Sequence, residues 1–377
     1  MTSVVKKCWQ CTILFGFGTL SMMALAGIGI ADKLPTPTRV WSVGPLTKPE
    51  TVGSFAFGPG GGTFTGLHMD SQTGSIFSAT RSIAFADDRI VLASKIGSRR
   101  VEGHPIPENV YSLLSLDVET GKIKDTREAS AFGSMEVFAT NDAHVIIAGR
   151  SLTRLTPDLK DAGSFDYNAP GHKHGNVEDI SPDGSTLGNQ TSPGFELVDT
   201  RTLEAREVTA NPAVATSINN SGFITDNVHW TGKYPKDLSF ITYEDASGER
   251  LLYHGNCGGR PQFVSNDLVL EPGCKNLLFI GLQGKIVRTV PVKGAYSYAG
   301  VSQNGKRFAL QIATYDGSAM HSLNRERFLI FSVETGEPIA EVKPDKLAEG
   351  QSWTAFSPDG SMFVVGSPLK LTLYRLP

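Results

Sequence analysis

WTAFSPDGSMFVVGSPLKLTLYRLP, residues 353–377, contains three short apolar runs separated by two breaks. Trp353 to Phe356 leads into a Ser-Pro-Asp-Gly turn, and Met362 to Val365 follows. A second break, Gly366 to Lys370, precedes Leu371 to Leu376. Runs of four to six β-branched and aromatic residues bounded by Pro, Gly and Asp are strands joined by turns. A three-stranded sheet with an open edge invites edge-to-edge aggregation, so a fourth strand is expected from elsewhere in the chain.

The same unit recurs upstream in diluted form. An apolar run followed by a polar turn is found at Ser82–Phe85, Met135–Phe138, Val177–Ile180, Ala215–Ile218, Gln262–Val264 and Tyr298–Val301. With the unit that opens at Trp353 there are seven, their turns roughly 40–55 residues apart, the period of four-stranded propeller blades. A second half-unit repeats as well. Leu114-Ser-Leu-Asp-Val-Glu-Thr-Gly-Lys-Ile and Phe331-Ser-Val-Glu-Thr-Gly-Glu-Pro-Ile each read as strand, tight turn, strand, and looser copies begin at Phe195 and Leu278. Helical periodicity is nearly absent. Thr38 to Gly44, a lone strand ended by Pro45, is the natural fourth strand of the last blade. The expected fold is therefore all-β: a seven-bladed β-propeller over 32–377, closed by an N-terminal strand.

The pattern resembles the bacterial WD-repeat-like and quinoprotein-dehydrogenase-like propellers, on Ser181-Pro-Asp-Gly184, Ser357-Pro-Asp-Gly360, Asp117-Val-Glu-Thr-Gly121 and Ser332-Val-Glu-Thr-Gly336. These are structural turns, so the resemblance implies a fold and carries no functional residue. The Gly-His and Trp-Asp signatures of true WD repeats are missing.

Residues 1–31 read as a targeting segment. Lys6 and Lys7 precede an apolar stretch from Thr12 to Ala31 that contains Ala24-Leu-Ala26. This describes a cleaved signal peptide, or an uncleaved anchor, since the run is long enough to cross a bilayer. Either reading exports the rest of the chain to a periplasmic or extracellular compartment. Removing Lys6 and Lys7 from 35 basic residues leaves 33 against 38 acidic, a net charge of −5, which is no footprint for nucleic acid. Membrane contact is expected only through the leader, and the protein is expected as a monomer. Cys8 and Cys11 lie in the leader and lack the following His of a haem-attachment motif. Cys257 and Cys274 remain as a pair suited to one disulfide in an oxidising compartment, worth about 3 kcal/mol on the chain-entropy model.

Alternating strand direction sorts the connections onto two faces. First-to-second and third-to-fourth turns are short and share one face. The second-to-third loops and the blade-to-blade connections share the other and hold nearly every long segment, as functional loops do. Seven of the eight histidines map to that long-loop face, among them His104, His172, His174, His229, His254 and His321; only His144 maps to the short-turn face. His172-Lys-His174 is the tightest cluster and the candidate for a divalent transition metal, as in a metal-assisted lyase or hydrolase. Propeller polysaccharide lyases are similar in carrying a His-rich metal site, though their spacing is not matched here.

Arg99 and Arg100, with Arg325 and Arg327, are candidates for a positive mouth that binds carboxylate or phosphate. Asp183, Asp359 and Asn304 sit in turns whose geometry already explains them. Asn189-Gln-Thr191 and Asn219-Asn-Ser221 fit the glycosylation sequon. No Gly-x-Ser-x-Gly or His-Glu-x-x-His is present, and nothing identifies a cofactor, which leaves a quinone-dependent dehydrogenase without a site. The first expectation is a non-catalytic module that binds a protein or small-molecule ligand through its long-loop face, with no cofactor.

Overall fold

The structure is a computed structural model that describes residues 34–44, 55–56, 63–64, 83–103, 107–132, 135–149, 151–166, 175–191, 193–210, 215–229, 238–256, 260–272, 276–292, 296–315, 323–345, 353–367 and 370–377. Seven four-stranded antiparallel sheets follow one another along the chain as blades 1 to 7. Blade 1 is Ile83–Ala86, Arg89–Arg99, Glu108–Asp117 and Ile123–Ala131. Blade 2 runs from Glu136 to Phe165, blade 3 from Gly175 to Thr209, blade 4 from Ser217 to Asn256, blade 5 from Gln262 to Pro291 and blade 6 from Tyr296 to Val342. Blade 7 takes Trp353–Phe356, Met362–Ser367 and Lys370–Arg375 from the C-terminal end and Thr38–Val43 from the N-terminal end. A further two-stranded sheet pairs Phe55–Ala56 with Thr63–Phe64.

The core is divided among the blades. Seven apolar clusters are present, one in each seam between neighbouring sheets. Side chains alternate along a strand, so each sheet faces two seams. In blade 1, Ile83, Phe85, Ile90 and Leu92 enter the seam with blade 7, whereas Ala84, Ala86, Val91 and Ala93 enter the seam with blade 2. Both faces of every sheet are thus buried. That is why the strands read as continuous apolar runs such as Val145-Ile-Ile147, and not as the alternation of a half-solvated sheet.

The closing strand pairs antiparallel with Lys370–Arg375, matching Thr38 to Arg375 and Val43 to Leu371. Ahead of it, Leu34 packs on the cluster between blades 5 and 6, and the Pro35 carbonyl accepts from the Glu341 amide of blade 6. Trp41 then reaches forward. Its indole Nε1 donates to the Val118 carbonyl of blade 1 at 2.7 Å. Among the described residues four other outer strands carry a comparable latch, that of blade 3 running from Arg206 to the Asn220 carbonyl of blade 4. Arg127 donates to the Leu159 carbonyl of blade 2, Arg250 to Leu282 of blade 5, and Arg288 to Val333 of blade 6. Where those blades use an arginine, the N-terminal strand uses a tryptophan.

Outer strands are edges, and each of the seven carries a register shift against its third strand. In blade 1 the shift falls at Ser115/Leu116, in blade 4 at Ile241/Thr242, and in blade 7 at Arg39/Trp41. The others fall at Arg154/Leu155, Phe195/Glu196, Phe279/Ile280 and Ile330/Phe331. Such bulges twist an edge away from further pairing.

The short turns share one chemistry. Ser181 donates to Asp183 Oδ1 and receives the Thr186 amide, Ser357 does the same with Asp359 and Met362, and Ser302 with Asn304 and Arg307. These bonds engage one carboxylate oxygen of Asp183 and of Asp359, and the amide oxygen of Asn304, within their own turns. Gly184, Gly305 and Gly360 follow at positive φ.

Gly121 has a φ of 68°, and an added Cβ would lie 2.8 Å from Trp41 Cδ2. Alanine there is expected to cost roughly 2–4 kcal/mol from left-handed strain plus the clash. In a Trp41→Ala background the cost should fall, because the clash with the indole is gone and only the strain and a 3.1 Å contact with Val43 Cγ1 remain. Denaturant titration of the four proteins reads the coupling; additive effects would mean that Trp41 does not sit on blade 1.

Candidate functional site

A first strand runs from the long-loop face to the short-turn face, and the directions then alternate along the blade. The two ends of the ring differ chemically. At the short-turn mouth of the channel, polar side chains satisfy one another across blades. Asp183 of blade 3 accepts from Asn220 of blade 4 at 2.7 Å and from Asn266 of blade 5 at 2.9 Å. Burial pushes the Asp183 carboxyl up, but the bonds from Asn220, Ser181, Asn266 and the Ser185 amide outweigh it and hold it below the usual carboxylate range. Gln303 of blade 6 donates to the Ala139 carbonyl of blade 2 at 3.0 Å. Those blades are not neighbours, so this bond spans the mouth.

Further in, the first strands are tied sideways. Ser217 of blade 4 donates to Asp179 of blade 3 at 2.8 Å and accepts from the Phe263 amide of blade 5.

Toward the long-loop face, the apolar seams give way to buried polar groups. Between blades 4 and 5, Ile224 and Val269 belong to the seam cluster, and two residues further along each strand stand Asp226 and Glu271. Glu271 is fully buried, as is Ser239, which donates to Asp226 at 2.6 Å. Burial pushes the Asp226 carboxyl above its usual range, and the Ser239 bond only partly offsets it. Tyr253 of the same seam is pushed up by burial and by the charge of Glu271. Between blades 2 and 3, Asn189 donates to Glu196, both buried beyond the apolar cluster. Trp353 begins the channel-lining strand of blade 7, its indole N–H buried and without an acceptor. A buried indole N–H ordinarily finds a partner.

The residues nominated from the sequence fare unevenly. Arg99 ends the second strand of blade 1 and holds the buried Glu108 at 2.8 Å, with Ser130 on the other carboxylate oxygen. Arg327 of blade 6 holds Glu341 at 2.9 Å. Blade 7 separates these two arginines, and each serves a carboxylate of its own blade. Arg100 is exposed beside Arg99. Arg325 lies in the third strand of blade 6, paired with Thr314, and His229 closes the second strand of blade 4. His254 is exposed in the outer strand of blade 4, its ring edge-on to Phe240. His104, His172, His174, His321, Cys257 and Cys274 lie outside the described residues. Among the described residues no group of three or more His, Cys, Asp or Glu could hold a metal.

Neither sequon presents its asparagine at the surface. Asn189 is fully buried and Asn219 is 2% exposed, with its amide donating to the Asn266 carbonyl, so neither is available to a glycosyl transferase in the folded chain. The sequence does not single out Asp226, Glu271 or Trp353 as site residues. A lone acid in a strand, such as Asp226 in Gly222–His229, was the available signal, because strand interiors disfavour Asp.

No protein-family model matches the chain, and no curated protein matches it. Among solved structures it is similar to the Pan2 WD40 domain of Neurospora crassa, at 10% identity and a TM-score of 0.47, over 80% of this chain and 89% of that one. It is also similar to a chain in the crystal structure of the mitotic checkpoint complex, at 12% identity and a TM-score of 0.40, over 78% and 93% of the two chains. By its own sheet order the chain is a seven-bladed β-propeller.

A carboxyl with a raised folded pKa contributes stability that is present below its unfolded value, near 4, and lost as the pH rises through the folded one. Asp226→Asn should therefore raise the melting temperature at pH 7, with the gain shrinking toward about pH 3.5. Thermal unfolding at both pH values checks this, and a variant less stable than wild type at pH 7 would contradict it.

Proposed function

We propose that the chain is a non-catalytic binding module that recognises a protein or small-molecule ligand through its long-loop face. Three surfaces of a propeller are open to a partner: the rim, the short-turn face and the long-loop face. The rim is guarded by seven bulged edges, which disfavour strand addition. At the short-turn mouth, Asp183, Asn220, Asn266 and Gln303 already bind one another or backbone. Single polar atoms there lack a partner among the described residues, Asn266 Oδ1 for one, but the long-loop face holds a large aromatic donor in that state. The observation that carries the reading is the unpartnered indole N–H of Trp353, which heads a channel-lining strand on that face. The carboxyl of Asp226, held above its usual range, adds to it. Buried polar groups left short of partners lower stability and are retained where they serve recognition. The basic-then-apolar leader supports placing the module in an exported compartment.

A photo-crosslinking residue placed at Arg100 samples the long-loop face, and one at Asp267 samples the short-turn face; both positions are exposed. In cells that express the full chain, adducts should form from position 100 and not from position 267. Adducts from position 267 alone would overturn the reading.

A further inference from the structure

At the short-turn end of the seam between blades 2 and 3, charged side chains of both blades meet. Asp142, in the first turn of blade 2, lies between two guanidiniums from different blades. Arg154, on the third strand of blade 2, bonds Asp142 Oδ2 through Nη2. Arg201, in the third-to-fourth turn of blade 3, reaches the same oxygen with Nε at 3.7 Å. Oδ1 of Asp142 accepts from Thr140 at 2.6 Å. His144 stands beside the group, its Nδ1 bonded to the Asp142 carbonyl and 3.6 Å from the carboxylate.

The charges do not balance. One carboxylate serves two guanidiniums, and among the described residues no second acid lies within ion-pair distance of either. Asp199, near in sequence to Arg201, turns Oδ1 toward the Arg201 and Thr202 amides and caps the turn. The side chain of Arg154 is only 10% exposed, and its Nε is buried with no acceptor. Arg201 is the opposite: 69% exposed, with a guanidinium that makes no hydrogen bond within the described residues. A positive charge held by a partly buried neighbour is poorly screened, so an exposed fork beside it attracts anions more strongly than an isolated surface arginine. The Asp142 carboxyl reports the same field. Burial raises it, but the Thr140 bond and the charges of Arg154 and His144 prevail and hold it below the usual range.

We propose that this cluster binds an oxyanion of the phosphate type, with Arg201 supplying the fork and Arg154 the fixed charge behind it. The site is on the face opposite the long loops, and it stands or falls independently of the reading given above.

Inorganic phosphate is the probe, titrated into the full chain by calorimetry at constant pH, with chloride matching the ionic strength. Saturable binding is expected. Arg201→Ala should weaken it by about tenfold or more, the scale of a lost charge-assisted fork. Asp142→Asn should act in the other direction, tightening binding several-fold by removing the competing carboxylate. The turn tolerates that change, since Asn304 holds the equivalent position in blade 6 with the same serine-type bond. Absence of saturable binding, an unchanged affinity in Arg201→Ala, or weaker binding in Asp142→Asn would each overturn the proposal. A purely structural role for Arg154 and Asp142 would not give effects of opposite sign.

Discussion

The pairing of Thr38–Val43 with Lys370–Arg375 is the constraint on which the rest of the molecule depends. Each blade is a sheet buried on both faces, so no blade has a core of its own. Its apolar side chains are covered only if two neighbours are present. A linear array would leave two sheet faces bare at its ends, and only a closed ring covers them all. The last seam, between blades 7 and 1, brings Leu371, Leu373 and Val364 against Ile83, Phe85 and Leu116. The N-terminal strand contributes Val40, Trp41 and Val43 to that seam and caps the edge of blade 7. Its bulge and its tryptophan latch match the bulges and arginine latches of other outer strands. Position in the sheet, and not position in the sequence, has shaped it.

Much of this architecture is legible in the amino-acid sequence, and the reason is local. A Ser-Pro-Asp-Gly turn needs its serine, its aspartate and a glycine at positive φ within a few residues, so the letters lie together. Strand boundaries follow within one to three residues: the run read at Met135–Phe138 is the strand Glu136–Ala139, and Val177–Ile180 begins earlier, at Gly175. What is not legible is set by distance along the chain. The bond from Trp41 to Val118 joins residues 77 apart, and that from Gln303 to Ala139 joins residues 164 apart. Neither leaves a local trace. Sequons fail for a related reason: Asn189-Gln-Thr191 has the right letters, but the site is in a strand whose side chain faces a seam.

The candidate site was harder to see because its chemistry is spread over several strands. Histidines in loops are conspicuous in a sequence, whereas Asp226, Ser239 and Tyr253 come from three strands of blade 4 and are joined by Glu271 only when blade 5 packs against it. Arg99 shows the converse. It stands out beside Arg100, yet it neutralises Glu108, a residue nine positions away across a hairpin. The fold thus separates two demands. The short-turn half holds polar bonds that tie one blade to another, and the long-loop half holds the carboxyl of Asp226, which burial pushes above its usual range.

Ring closure can be measured directly in the hinge between the two ends of the chain. Ser42 and Thr372 are cross-strand partners whose hydroxyl oxygens lie 2.9 Å apart. Cysteines at both positions should form an intramolecular disulfide, detected as a linked peptide pair from unreduced monomer. Free thiols, or a bond found only between chains, would contradict a ring closed by its own N-terminal strand.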